Sequence, residues 1–141
     1  MGELIQLTSK IDPKFNIFIV TPEDEEYEQF KEVFKTHGLA YTDLNSKIII
    51  IDGEALDRQK YDSMELLHFI ISHEIAHHKL KHRGEYNKRQ EAEADLLGIK
   101  LCQKYNYNAS AKIGIKEFKN RNGISLEAAE ELYGNRLLGL I

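Results

Sequence analysis

"DSMELLHFIISHEIAHHKLKH" (62–82) holds five of the six histidines in this 141-residue chain, and two of them bracket a glutamate as His73-Glu74-Ile75-Ala76-His77. The stretch reads as one long helix. Asp62 offers an N-cap, and Glu65 three residues on completes a capping box. Leu66, Phe69, Ile70, His73, Ala76, His77 and Leu80 recur at three- and four-residue steps, the period of a helix face. The pattern predicts a helix that ends near Arg83-Gly84.

A helix turns about 100° per residue, so His73 and His77 share a face and can turn ring nitrogens toward one ion. Glu74 is rotated off that face by one residue, which suits a general base beside the ion rather than a ligand. This is the physical content of H-E-x-x-H. Two histidines leave a zinc ion short of a ligand, and "RQEAEADLLG" (89–98) supplies candidates. Glu91 and Asp95 are four apart and share a face. Glu91 is expected as the third ligand, and Asp95 as the acceptor for the outer N–H of a ligating histidine, which fixes its tautomer. Glu93, about 200° around from Glu91, is expected to point away. Two His and one Glu leave a fourth position open, the pattern of a catalytic zinc site.

The other histidines have plainer readings. His78 and His82 are expected to be solvated or to complement the negative end of the helix dipole, His82 lying about 180° from His73. His68 and His37 are read as structural or surface residues, and Cys102 as a buried small hydrophobe.

Around this segment the chain predicts an α+β fold. "NIFIVT" (16–21) reads as a strand, and Thr21-Pro22-Glu23-Asp24 as a helix start. Tyr27, Phe30, Val33 and Phe34 follow at helical spacing, and Gly38 closes the segment. "LAYTDLNSKIIIID" (39–52) predicts a strand, a turn at 43–46 and a second strand at 47–52, whose four isoleucines suit burial on both faces. "EYNKR" (85–89) is a short exposed link, which favours antiparallel neighbours. A second long helix is predicted over 88–105, with Ala92, Leu96 and Ile99 inward. Helices at 109–119 and 125–137 follow, separated by Asn122-Gly123, with Ser125 capping the restart.

Composition narrows the function. A net charge of −4 argues against a nucleic-acid module driven by phosphate neutralisation. One cysteine excludes a disulfide framework and a Cys-based zinc site, and a lone thiol suits a reducing, cytoplasmic setting. No signal peptide or membrane-span-length apolar run is read.

"HEIAHHKLKH" followed by "EAEADLLGIKLCQKYNYN" resembles the gluzincin zinc metallopeptidases, above all the HtpX, Oma and BepA-like group, with the ImmA/IrrE-type peptidases a near second. "SKIIIIDGEAL" and "FKNRNGISLEAAEEL" add to the likeness, which covers about 40–110 well and the C-terminus loosely. The resemblance implies a single zincin-like domain over 1–141, with a strand and helix part at 1–61 and a helical part carrying the zinc site at 62–141. It implies Glu91 as ligand and Asp95 as partner of His73. It also implies hydrolysis of peptide bonds in a protein or peptide substrate by zinc-activated water, with Glu74 as general base. The strand at 47–52 would be an edge strand that pairs with extended substrate. Two features depart from the group: the membrane helices of HtpX-like proteins have no counterpart, and no C-terminal histidine is placed for the oxyanion, which leaves Arg136 or a tyrosine for that role. The rival reading is a catalytically silent zinc-binding regulatory or interaction domain, and a third is a small interaction domain that binds metal adventitiously.

Overall fold

In the computed structural model, which describes residues 5–83, 87–137 and 139–141, the strands end at Asp52 and four long helices follow. The chain is α+β and divides into two compact units, Met1–Ser63 and Met64–Ile141, close to the boundary expected between sheet and helical parts.

In the first unit β1 (Ile5–Ser9) and β2 (Asp12–Val20) form an antiparallel hairpin. After β2 come α1 (Tyr27–His37), β3 (Ala40–Asp43), β4 (Ile48–Asp52) and the short α2 (Gly53–Asp57). The sheet order is β1-β2-β4-β3, with β4 parallel to β2 and antiparallel to β3. Phe15, Ile17, Ile49 and Ile51 are fully buried, whereas Ile48 and Ile50 are only half-buried. One face of β4 is therefore sealed and the other partly covered.

Two expectations change here, and two elements are added. β4 is an interior strand, because β2 returns along its free side, so its backbone groups are already paired and it is not the edge expected to receive substrate. The helix expected from Thr21 begins at Tyr27. Asp24 folds back instead, its carboxylate accepting from Thr21 N–H at 2.8 Å, while Asp24 N–H donates to Thr21 O at 2.9 Å, so the capping residues close a turn. β1 and α2 were not anticipated. α2 is capped by Asp52, whose side chain accepts from Ala55 N–H.

The second unit is helical: α3 (Ser63–Lys79), α4 (Lys88–Lys104), α5 (Asn108–Asn122) and α6 (Leu126–Leu137). Leu67, Phe69, Ile71, Ile75, Leu96, Leu97, Ile99 and Phe118 form its sealed core. Asn87 caps α4, accepting from Arg89 and Gln90 N–H. Gly123, left-handed at φ 67°, ends α5, and Ser125 accepts from Ala128 N–H at the start of α6, as expected. At Gly98 α4 lies close against α3: a Cβ there would stand 3.1 Å from His73 N and 3.2 Å from His73 Cα.

α3 ends at Lys79, four residues short of the expected stop. Lys81 adopts φ 57°, its N–H donates to His78 O, and His82 N–H donates to His77 O. These two bonds make a Schellman cap, which usually has glycine where Lys81 stands. Without that glycine the stop was invisible in sequence. Gly84 and part of the link at 85–89 lie outside the described residues.

Candidate metal centre

The Schellman cap and the close approach at Gly98 place two helices' polar side chains together. From α3, His73 and His77 stand one turn apart with their Nε2 atoms 3.2 Å from each other. From α4, Glu91 Oε2 lies 3.0 Å from His73 Nε2 and 2.8 Å from His77 Nε2. All three expected ligands thus converge, and their ligand atoms lie within 4.8 Å of one another. Ligands at zinc–nitrogen and zinc–oxygen distances on a tetrahedron stand about 3.3 Å apart, close to this spacing.

The set fits a cation chemically as well. When both histidines carry their proton at Nδ1, two bare ring nitrogens and one carboxylate oxygen converge, an all-acceptor set that a cation would hold together. Two imidazoles and a carboxylate are ligands suited to zinc.

Asp95 lies beside His73, the histidine expected to be its partner. Its Oδ1 is 2.8 Å from His73 Nδ1, a close ion contact whose angle falls short of hydrogen-bond alignment. Asp95 is 1 % exposed and also accepts from Arg121 Nη1 of α5 at 3.2 Å, so its buried charge is compensated from two sides. Burial works to lower the pKa of His73. The Asp95 charge beside it outweighs burial, with help from Glu91 and Glu74, and raises it to about 10. Burial would raise Glu91, but the hydrogen bonds from His73 and His77 win and hold it well below the usual carboxylate range.

Glu74 is buried, and its charge acts on His73. It lies on the helix between the two histidines and outside the converging ligand set.

His82 and Glu93 depart from expectation. His82 is 4 % exposed rather than solvated. The Schellman cap folds it back over His77, with the two Nδ1 atoms 2.8 Å apart. Glu93 does turn away from the ligand atoms, as expected, but into the interior, where it is fully buried. Its Oε1 is 3.1 Å from His82 Nε2, and its Oε2 is 2.8 Å from Arg136 Nε of α6, an ion pair not aligned as a hydrogen bond. Arg136 is therefore engaged behind His82, which displaces it from the expected oxyanion role. Burial lowers the pKa of His82, and the Glu93 hydrogen bond opposes that. No sequence signal marked His82, because its position depends on a cap formed without glycine.

The remaining residues keep their plain roles. His68 stacks on Tyr107 at 4.1 Å between ring centroids, and His78 is half-buried. Cys102 is fully buried, and burial pushes its thiol up to about 11 against a hydrogen bond with Ser72. The side chain of His37 lies outside the described residues. Among the described residues no helix is long and apolar enough to cross a membrane. Comparison with known protein families, with curated proteins and with solved structures finds no match.

Proposed function

We propose that the chain is a zinc-dependent metallopeptidase of gluzincin type that hydrolyses peptide bonds in protein or peptide substrates. The observation that carries this reading is the convergence of His73, His77 and Glu91 on one point, with buried Glu74 between the two histidines. Zinc held there supplies Lewis acidity toward a substrate carbonyl and toward water. His73 and His77 offer their Nε2 lone pairs, and Glu91 balances the charge. Glu74 takes a proton from the attacking water and returns it to the leaving amine. Asp95 holds His73 in the Nδ1–H tautomer. A cytoplasmic setting is part of the proposal and agrees with the single free thiol of Cys102.

One observation favours a silent zinc-binding domain instead. Arg136, the arginine expected to stabilise an oxyanion, is committed to Glu93. The experiment separates the two readings. Purified protein is expected to hold about one zinc per chain by elemental analysis. Glu74→Gln is expected to keep zinc and fold while losing about 100- to 10,000-fold in cleavage of an unfolded protein or peptide library, read by mass spectrometry. Zinc without cleavage in parent and mutant alike supports the silent domain. Absence of zinc in the parent rejects both readings.

A further inference from the structure

The structure assigns His82 and Glu93 as positioning residues for His77: a relay in which His77 Nδ1–H donates to His82 Nδ1, and His82 Nε2–H donates to Glu93 Oε1. This inference rests on the zinc reading of His77. Each link constrains the next. Glu93 is fully buried and, as a carboxylate, offers only acceptors, so the His82 nitrogen 3.1 Å away must carry a proton. A neutral imidazole protonated at Nε2 has a bare Nδ1, which accepts across the 2.8 Å contact from His77. In the zinc-loaded state His77 then carries its proton at Nδ1 and presents a bare Nε2 to the ion, on the side shared with His73 and Glu91. The opposite order would set the bare Nε2 of His82 against a buried carboxylate, lone pair against lone pair.

The backbone builds the same relay. The Schellman bond from His82 N–H to His77 O brings His82 over His77, the residue one turn from the helix end. Arg136 on α6 anchors the far oxygen of Glu93 at 2.8 Å. His77 thereby receives through an intervening histidine what His73 receives directly from Asp95, a carboxylate that fixes tautomer and ring orientation.

The test uses zinc-loaded full-length chain labelled with 15N at histidine, at one fixed pH. Long-range 1H–15N correlation is expected to show His77 protonated at Nδ1 and His82 protonated at Nε2 with a bare Nδ1. In chelator competition, His82→Ala and Glu93→Gln are expected to bind zinc about 10- to 100-fold more weakly than the parent. His82→Gln, whose amide oxygen can accept from His77, is expected to recover part of that loss. A residue that serves packing alone would change thermal stability and leave the His77 tautomer and the zinc affinity unmoved. A zinc-loaded parent with His82 protonated at Nδ1 overturns the relay, and this readout needs no variant to fold. Parent-like affinity in both folded variants overturns it too. A parent that takes up no zinc overturns the zinc reading itself, a result distinct from either.

Discussion

Asp95 and Glu93 lie two residues apart on α4, and each ends a chain of charge that begins at a candidate ligand. Asp95 meets His73 and is neutralised by Arg121; Glu93 meets His82 and is neutralised by Arg136. At this scale Asp95→Ala is expected to weaken zinc binding about 10- to 100-fold in chelator competition and to leave the helical circular dichroism in place. Affinity equal to the parent's would remove Asp95 from the site. Glu91→Ala is expected to abolish stoichiometric zinc, since two histidines alone remain; full zinc content in that variant would transfer the third position to another residue. Asp95 was legible because it shares a helix face with Glu91, a relation set by 3.6 residues per turn. The partner of Glu93 was not, since His82 lies beyond the end of its helix and its position follows from a turn.

Two backbone features set the geometry of the elements. Gly98 lets α4 come down on α3 at His73, where the neighbouring atoms include His73 backbone nitrogen and Cα, which cannot swing away as a flexible side chain would. Gly98→Val is expected to cost about 1–3 kcal/mol through overpacking, read from the urea midpoint, and to weaken zinc binding by separating Glu91 from the histidines. A variant that is destabilised but binds zinc as the parent does would show that the helix spacing is not what places Glu91. Lys81 holds φ 57°, a region that costs an L residue about 1–2 kcal/mol and glycine nearly nothing. Part of that gain is returned through the freer unfolded chain, so Lys81→Gly is expected to raise stability by up to about 1 kcal/mol with zinc affinity kept. A clear loss of stability would contradict the cap.

For the whole molecule, pH and metal act through the same groups. With His73 raised to about 10, its contacts stabilise the metal-free protein fully below the unfolded value of about 6.5, and the contribution is lost as pH rises through about 10. Glu91 has the opposite sign. Its depressed pKa gives stability above about 4.3 that is lost as pH falls. The metal-free protein is therefore expected to melt highest between about pH 4.3 and 6.5, and lower at pH 9. Zinc must displace the His73 proton, so binding at pH 8 is expected to release about one proton per ion, measured by calorimetry in buffers of different ionisation enthalpy. No proton release would mean that His73 is already neutral or is not a ligand.

The sequence by itself determined the α+β class, the turn at 43–46 and four long helices, because alternation, helical periodicity and caps are local and the backbone answers to them directly. It also placed His73, His77, Glu91 and Asp95 on shared faces, since i and i+4 positions meet in any helix. The convergence of those faces on one point came from tertiary structure, through the contact at Gly98. So did the interior place of β4, which depends on the return of β2 beside it, a pairing that isoleucine content cannot specify. The burial of His82 and Glu93 was decided there too. A histidine beyond a helix end and a glutamate off the ligand face are polar by every local measure, and only the folded chain supplies the partners that let them stay buried.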